Sequence, residues 1–366
     1  MDKIRLLDYT MSSTPSPMLA AFVKEVAMKA VRKLRRGPGN VELVEVSEPR
    51  MGPRDVLMKV WAAGVCGSDL NIQDDTHFYT PPVTIGHEYS GVVVEVGSEV
   101  KGVEVGYKIV ADIETEEGWI GIDIDGSYAP LMRLPEYVIH VCPPDMELDA
   151  AALAEPVTAC IHCFQERTHI GIGDTVLVVG PGPMGILAVQ FANLAGAKQV
   201  ILSGRPTDAE RLAVGKKVGA DVVVTTDEDP VGAVMDLTDG RGADYVAECS
   251  GTESGLQQAL DAARAKSEGR GGLGTVCLVA MYGRPITLNF DRAPMGQLNL
   301  IGSWSWSGPE TWERAIDLLY QGRIDYRSMI TSRYELEEWE VAFANLCACK
   351  DVKALIHPNG TDWGAL

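Results

Sequence analysis

The sequence predicts an α/β protein with two structural units, one built from short strands and one built around a parallel sheet. Up to about residue 141, short stretches of alternating apolar and polar residues are separated by turns rich in glycine and proline, which is typical of antiparallel strands. From about residue 148 onward, apolar strands alternate with helical segments, which indicates a doubly wound parallel sheet. A chain of 366 residues is also long for a single hydrophobic core.

Composition and charge indicate a globular protein without a nucleic-acid or membrane partner. Hydrophobic residues make up 46% and charged residues 23% of the chain, as in ordinary soluble domains. The net charge of −19 argues against a nucleic-acid partner, because phosphate binding needs clustered lysine and arginine. The one basic run, at 29–36, is short and is expected to form a solvated strand and turn. No apolar run approaches the roughly 20 residues that span a bilayer, so no membrane association is expected.

Cysteine usage and the N-terminal segment favour a cytoplasmic protein. The eight cysteines lack a disulfide-like spacing, which suits a reducing compartment. The N-terminus lacks the pattern of a secretory signal, and residues 1–27 are expected to form an extension ahead of the fold. Cys160 and Cys163 resemble a metal or redox pair, but they lie in an apolar helical run and no second pair accompanies them. A core position is therefore favoured for them, and the same is expected of Cys347 and Cys349.

A group of candidate metal ligands lies among the predicted strands of the first half. Gly86-His87-Glu88 occupies a loop just before an apolar strand at 90–96, and Cys66 follows the apolar run at 56–65. A thiolate, an imidazole and a carboxylate make up the ligand chemistry of a catalytic zinc site with room for substrate. A single buried cysteine or a lone histidine is more often structural, so these residues indicate a metal only together with a nucleotide motif.

The second half carries such a motif in the context that it requires. A predicted strand at 175–179 leads into a G-x-G-x-x-G turn at 180–185, and a helix follows at once. In this motif the first glycine makes the turn, the second lets the backbone approach a pyrophosphate, and the third lets the helix pack on the strand. The helix N-terminus then faces the anion. The residues predicted to bind the cofactor here are Gly180, Gly182, Pro183, Met184 and Gly185.

The end of the next strand should discriminate between the two nicotinamide cofactors. An NAD site places Asp or Glu at this point to accept a hydrogen bond from the ribose 2′-hydroxyl. This chain has Ser203, Gly204 and Arg205 instead, and no carboxylate is expected to repel a 2′-phosphate. The guanidinium of Arg205 is a permanently charged, planar donor, although it could also lie on a solvated loop. The sequence therefore predicts a preference for NADP, with NAD accepted as well.

These motifs together resemble the zinc-containing medium-chain dehydrogenases/reductases, and most of all their sorbitol (polyol) and threonine dehydrogenase branches. The resemblance covers about residues 28–357 and rests on the nucleotide motif, on Cys66-Gly67-Ser68-Asp69 and on Gly86-His87-Glu88-x-x-Gly91-x5-Gly97-x-x-Val100. It implies a GroES-like, partly barrelled catalytic domain that is split in sequence around a Rossmann domain. The implied divisions are a first catalytic part at 28–156, an NAD(P)-binding Rossmann domain at 157–301 and a return to the catalytic domain at 302–366.

The resemblance also implies a metal site with particular ligands. Cys66 and His87 match the zinc ligands of the family, and Glu88 matches the carboxylate that ligates zinc in the polyol branch. Glu155 falls where polyol enzymes have a glutamate that lies at the metal or one water away from it. Because residues 107–141 contain no cysteine, one catalytic zinc per subunit and no structural zinc are predicted.

Further roles come from the same resemblance. Asp69 matches the acid that orients the zinc-binding histidine, and Ser68 matches the hydroxyl that takes the substrate proton. Asn71 stands where relatives often have a proton-relaying histidine. Residues expected to line the nicotinamide, by analogy with the family, are Val279, Ala280 and Ser303.

The substrate pocket is expected to be more aromatic than that of the polyol branch. That branch places Arg and Tyr after a Gly-Ser-Phe segment, whereas this chain has Trp304 and Trp306 around Ser305. Other aromatic residues are weaker pocket candidates and are as readily explained by ordinary packing; these are Trp61, Phe78 and Tyr79.

The predicted function is that of a zinc-dependent alcohol or polyol dehydrogenase. Such an enzyme transfers a hydride between a secondary alcohol or polyol, or the matching ketone, and NAD(P). Two alternatives stay open: a zinc-free NADPH-dependent reductase of the same superfamily, and a non-enzymatic nucleotide-binding protein. A metal assay distinguishes the first alternative from the zinc dehydrogenase, and turnover of a panel of alcohols distinguishes the second. The expected partners are the small-molecule substrate and, by resemblance, further copies of the chain in a homotetramer or homodimer.

Overall fold

A computed structural model describes residues 27–266, 273–305 and 308–362, and it confirms the predicted α/β fold. All of the expected extension except its last residue, and also Trp306, lie outside the described residues. The strands before residue 142 are β1 (Ala27–Lys33), β2 (Val41–Ser47), β3 (Asp55–Gly64), β4 (Val83–Thr84), β5 (Glu88–Val96), β6 (Lys108–Ala111), β7 (Glu114–Thr115), β8 (Gly118–Trp119), β9 (Leu131–Pro135) and β10 (Ile139–Val141).

A six-stranded parallel sheet follows in the second half of the chain. Its strands are β11 (Thr175–Val179), β12 (Gln199–Gly204), β13 (Val222–Thr225), β14 (Tyr245–Glu248), β15 (Thr275–Leu278) and β16 (Asn299–Gly302). Their spatial order is β13-β12-β11-β14-β15-β16, so the order reverses between β11 and β14. Ligands bind at such a reversal in open α/β sheets, at the carboxyl ends of the strands.

Eleven α-helices connect and flank the strands in the described part of the chain. They are α1 (Gly67–Gln73), α2 (Leu148–Ala151), α3 (Ala154–Ile161), α4 (Pro183–Ala195), α5 (Ala209–Lys217), α6 (Pro230–Leu237), α7 (Glu253–Ala262), α8 (Arg292–Gly296), α9 (Pro309–Tyr320), α10 (Tyr326–Met329) and α11 (Trp339–Cys347). Short 3-10 or π turns occur at Glu136–Val138, His162–Arg167, Pro206–Asp208 and Leu336–Glu338. Helix α4 has proline at its first position and ends at Gly196 with φ 84°, which are common helix start and stop signals.

The pairing of β3 with β5 positions the first group of site residues. The two strands are antiparallel, and Gly64 at the end of β3 lies opposite Glu88 at the start of β5. Because the end of one strand lies beside the start of the other, the loop after β3 and the loop before β5 meet at one edge of the sheet. Cys66 and His87 therefore come together although 21 positions separate them in the sequence, counting from 66 to 87.

After it completes the parallel sheet, the chain returns to the sheet that contains β3 and β5, which is called the first sheet below. Two late strands, β17 (Ile330–Glu335) and β18 (Lys353–His357), extend this sheet to the order β10-β6-β5-β3-β18-β17, with β9 also pairing with β3. In the antiparallel pair of β18 and β3, Leu355 lies opposite Gly64. The start of β18 thus reaches the edge that carries Cys66 and His87. The division points near residues 157 and 301 stay predictions.

Burial agrees with some of the cysteine expectations and contradicts others. Cys160 and Cys163 are buried in the core between α3, α4 and the parallel sheet, as predicted. The expected core position of Cys347 and Cys349 is wrong: Cys347 is exposed and Cys349 is half-buried, because α11 ends at the surface. Within the described part of the chain, none of the helices has the length and apolarity that crossing a bilayer would require.

Candidate functional site

A cavity of about 330 Å³ opens where the edge of the first sheet meets the carboxyl ends of the parallel strands. From the first sheet and α3 it is lined by Cys66, Ser68, His87, Glu88 and Glu155. From the parallel sheet it is lined by Gly182, Pro183, Met184, Val279, Ala280 and Ser303. Most of the residues singled out in the sequence therefore surround one space.

Three candidate metal ligands lie close enough to share one ion. The donor atoms of Cys66, His87 and Glu88 all lie within 4.8 Å of one another. His87 and Glu88 are buried, and Cys66 is half-buried. A thiolate, an imidazole and a carboxylate at this separation fit a zinc ion with a free coordination position.

A buried carboxylate faces the His87 ring. Asp69 Oδ1 faces His87 Nδ1 at 3.6 Å, and neither atom has a hydrogen-bond partner among the described residues. The other oxygen of Asp69 accepts hydrogen bonds from the Tyr128 hydroxyl at 2.7 Å and the Cys66 backbone N–H at 2.9 Å. Burial lowers the pKa of His87, but the charges of Asp69 and Cys66 outweigh burial and hold this pKa well above its usual value. Ser68 Oγ lies 3.1 Å from the other ring nitrogen, Nε2.

Glu88 has a second partner, which the sequence did not reveal. Lys353 Nζ donates to both carboxylate oxygens of Glu88, at 2.8 and 2.6 Å, and to the Val65 carbonyl at 3.2 Å. Burial lowers the pKa of Lys353, but the Glu88 charge outweighs burial and raises it above its usual value. A lysine at the start of the apolar strand β18 is the sequence signal that could have indicated a buried acidic partner.

Glu155 lies in the first turn of α3 and lines the same cavity without joining the close group of three ligands. Its side chain is only partly exposed. Burial raises the pKa of Glu155 to about 7, so the carboxyl takes up or releases a proton near neutral pH. Of the two candidate carboxylate ligands, Glu88 therefore belongs to the close group and Glu155 lies outside it.

The nucleotide motif has the geometry expected of a dinucleotide turn. Gly180 has φ 98°, a left-handed conformation that favours glycine. A Cβ atom on Gly185 would lie 1.9 Å from the Gly180 carbonyl oxygen, so only glycine lets α4 pack this closely. Apart from its chain neighbours, a Cβ on Gly182 would meet no atom of the described residues within 4 Å, which leaves its surroundings open to a ligand.

The end of β12 differs in one respect from the expectation. Arg205 donates from Nε and Nη2 to the two carboxylate oxygens of Asp208, at 3.1 and 2.9 Å, and Nη2 also contacts Cys349 Sγ at 3.0 Å. The expectation that no carboxylate lies here is therefore wrong, since the turn at Pro206–Asp208 folds Asp208 back. The Arg205 side chain remains 61% exposed. Ser203 is buried and accepts a hydrogen bond from the Gln258 amide at 2.6 Å, and Gly204 follows it in the buried strand end.

Aromatic residues line the cavity, but not all are those predicted. Trp304 lines it as expected, and Trp119 from β8 was not singled out in the sequence. Phe78 packs edge-on against both indoles. Trp61 and Tyr79 lie outside the lining residues: Trp61 packs on His357, and the buried Tyr79 hydroxyl donates to Asp75. Trp119 was missed because its approach to Trp304 depends on contacts between distant segments.

Comparison with known proteins identifies the class of this chain. The family description "Zinc-binding dehydrogenase" matches residues 183–321, and "Alcohol dehydrogenase GroES-like domain" matches residues 52–144. A sorbitol dehydrogenase of Halalkalibacterium halodurans is 33% identical, with 90% of this chain and 99% of the relative covered. A D-arabitol-phosphate dehydrogenase of Enterococcus avium is 33% identical, with 91% and 98% covered. A candidate zinc-binding dehydrogenase of Sinorhizobium meliloti, solved bound to NADP, superimposes with a TM-score of 0.80 at 31% identity, with 91% of this chain and 100% of that chain covered.

Proposed function

The chain belongs to the zinc-containing medium-chain dehydrogenase/reductase family, in the branch that includes the polyol dehydrogenases, and on that premise we propose that it is an NAD(P)-dependent alcohol or polyol dehydrogenase. The proposed reaction moves a hydride from the carbinol carbon of a secondary alcohol to NAD(P), which leaves the matching ketone, and it also runs in reverse. One observation carries the proposal: the candidate metal ligands and the dinucleotide turn line a single cavity.

We propose Cys66 and His87 as zinc ligands, with Glu88 or Glu155 supplying a carboxylate. The separation of the donor atoms and the chemistry of the donors support this assignment. Asp69, which faces His87 Nδ1, would hold the ring so that Nε2 points to the ion. When bound, zinc lowers the pKa of a substrate hydroxyl and the nicotinamide carries the hydride. One zinc per subunit and no structural zinc are proposed.

We assign the proton transfer to Ser68. Its hydroxyl lines the cavity and lies 3.1 Å from His87 Nε2, so it is within reach of a substrate oxygen placed beside that histidine. Ser68 would accept the proton of the substrate hydroxyl and release its own proton toward the cofactor ribose and solvent. Asn71 lines the same cavity but its amide does not titrate, so a water molecule would complete the route.

The proposed cofactor is NADP in preference to NAD. The exposed guanidinium of Arg205 at the end of β12 supports this preference, and the Sinorhizobium meliloti protein bound to NADP agrees with it. The turn at 180–185 would hold the pyrophosphate. Val279, Ala280 and Ser303, which line the cavity, would face the nicotinamide.

The zinc-free reductase remains the second candidate because of one specific contact. The Lys353 ammonium neutralises the Glu88 carboxylate without any metal ion. In that reading Cys66 and His87 would be structural, and the cavity would bind NADPH and an activated double bond. Zinc content decides between the two, whereas cofactor binding without turnover of any alcohol would indicate a non-enzymatic protein.

We propose a cytoplasmic location and a homo-oligomeric assembly. All eight cysteines are free thiols, which agrees with a cytoplasmic location. A homotetramer or homodimer is proposed from the family resemblance.

The proposal is tested by zinc content and activity in Cys66→Ser and His87→Ala. The wild-type protein should hold one zinc per subunit and oxidise a secondary alcohol with NADP. Each variant should lose the zinc, and kcat/KM should fall by about three orders of magnitude, because a metal ion supplies several kcal/mol of transition-state stabilisation. Cys347→Ser is the matched control, since this exposed cysteine lies outside the cavity. Full activity without zinc, or two zinc ions per subunit, would contradict the scheme.

A further inference from the structure

Two stacked indoles form one wall of the cavity. Trp119 comes from the short hairpin of β7 and β8, and Trp304 comes from the loop that follows β16, so the two units of the fold each contribute one ring. Their ring centroids are 4.9 Å apart with an angle of 19° between the planes. Phe78 packs edge-on against both rings, at 5.7 and 6.2 Å. Trp304 nevertheless remains 52% exposed, so the stack presents a flat apolar surface that a ligand can cover.

Apolar and hydroxyl-binding groups accompany this aromatic surface. Ile113 and Ile122, from the segments that flank the hairpin, also line the cavity. Several polar side chains that can donate or accept hydrogen bonds line it too; these are Ser68, Asn71, His77 and Ser305. A ligand that fits this lining has one apolar face and several hydroxyl groups at its rim.

The charges of the cavity disfavour an anionic ligand. Among the described lining residues, the one lysine or arginine is Lys353. All three of its N–H donors are used, two by the Glu88 carboxylate and one by the Val65 carbonyl. Glu155 adds a further acidic group to the wall. A phosphate or carboxylate on the substrate would therefore find no lysine or arginine available to pair with it among the described lining residues, and the proposed zinc is taken by the reacting oxygen, so burying the anion is costly.

We propose, resting on the proposed dehydrogenase function, that the substrate is an uncharged polyhydroxylated six-membered ring, as in a cyclitol or a pyranose sugar. The C–H face of the ring stacks on the wall of Trp119 and Trp304, and the rim side chains bind its hydroxyls. A secondary ring hydroxyl is oxidised to the ring ketone. Its carbon loses a hydride to NADP⁺ and its oxygen loses a proton to Ser68 and then to solvent, so electrons and protons balance. The same lining excludes phosphorylated polyols of the kind named for the Enterococcus avium relative.

The first test compares substrates on the zinc-loaded enzyme with NADP. The probes are myo-inositol, scyllo-inositol and methyl β-glucopyranoside as uncharged rings, sorbitol as an open-chain polyol, and myo-inositol 1-phosphate as a charged ring. At least one uncharged ring should exceed both sorbitol and the phosphate in kcat/KM by about tenfold or more. Equal or faster oxidation of sorbitol or of the phosphate would overturn the inference while leaving the dehydrogenase function intact. If no alcohol is oxidised, the proposed function itself fails and the inference fails with it.

The second test asks whether the indole wall binds the ring. Trp304→Leu should raise KM for the preferred ring about tenfold, whereas Trp304→Phe, which keeps an aromatic face, should restore most of the affinity. Tm and zinc content should stay at their wild-type values in both variants, which separates lost stacking from a damaged fold. Trp61→Phe is the control outside the cavity and should leave KM for the preferred ring unchanged.

A binding measurement gives a readout that does not depend on turnover. In saturation-transfer NMR with NADP present, the ring C–H protons of one face should receive most of the saturation from the wild-type protein, and this signal should be lost in Trp304→Leu. Equal saturation of all ring protons, or an unchanged KM in Trp304→Leu, would contradict the stacking.

Discussion

At the residue scale, the closest electrostatic contact of the site is the buried pair of Lys353 and Glu88. Both side chains are almost fully buried, and removing one partner of such a pair typically destabilises a protein by about 3–5 kcal/mol. The pair therefore fixes the start of β18 against the start of β5 before any ion binds. It also restrains Glu88, so that the carboxylate could ligate a metal only by weakening its bonds to Lys353. Glu155 makes no comparable cation contact within the described part of the chain and is free of that restraint there.

Arg205 allows a test of cofactor preference at the same scale. Arg205→Ala should raise KM for NADP about 10- to 100-fold with little change for NAD, because a hydrogen bond to a charged group contributes about 1.5–3 kcal/mol. The measurement is the ratio of kcat/KM for the two cofactors. Arg54→Ala serves as the control, since this exposed arginine pairs with Glu99 away from the cavity. An unchanged ratio would mean that Arg205 is held by Asp208 for structural reasons alone.

The sequence predicted the residue types of the site better than their contacts. Cys66, His87 and Glu88 were singled out by their chemistry, and the structure brings them together. Lys353 was missed because its partner lies 265 positions away, and only the pairing of β18 with β3 makes the contact. Asp208 was missed for a local reason, since a single 3-10 turn reverses the chain and returns its carboxylate to Arg205.

At the scale of single elements, two glycines in the turn between β11 and α4 differ in role: one allows close packing, and the other leaves space for the proposed ligand. Gly185 faces the protein, because a Cβ there would collide with the Gly180 carbonyl oxygen. Gly182 faces open space and has φ −71°, a value that any residue tolerates. Packing against the protein therefore requires glycine at Gly185, whereas the proposed close approach of a pyrophosphate accounts for glycine at Gly182.

Two alanine substitutions should separate those reasons. Gly185→Ala should lower Tm by several degrees, because α4 must move away from β11. Gly182→Ala should leave Tm unchanged but weaken NADP binding about tenfold or more, because the new methyl group would occupy the space of the pyrophosphate. Calorimetry of the cofactor-free protein and titration with NADP measure the two effects. Equal loss of stability in both variants, or full NADP affinity in Gly182→Ala, would contradict this division.

Apolar periodicity in the sequence was sufficient to predict some helices and strands but not others. The strand predicted at 175–179 coincides with β11, because it is a short apolar run that leads directly into a glycine-rich turn and a helix. Helix α1 was not predicted, since Gly67–Gln73 is only seven residues long and has little apolar periodicity. It matters for the site because Asp69 in its first turn accepts the Cys66 N–H and faces His87.

At the scale of the whole molecule, the cavity exists because the chain leaves the first sheet, builds the parallel sheet and then returns. The strand alternation from residue 148 onward was enough to predict the parallel sheet. The pairing of the returning β18 with β3 is a long-range contact that no local pattern encodes, and it was expected only from the family resemblance. The cavity walls come from both parts, so the proposed metal ligands and the nucleotide turn can act on one substrate.

A crystal structure of the zinc-loaded protein with NADP, with anomalous data collected at the zinc edge, would show whether the metal ion and the nicotinamide share this cavity. We expect one anomalous peak per subunit, about 2.3 Å from Cys66 Sγ and about 2.1 Å from His87 Nε2, with the nicotinamide ring beside it against Val279 and Ala280. A peak elsewhere, no peak at all, or a nicotinamide that points away from Cys66 and His87 would contradict the account.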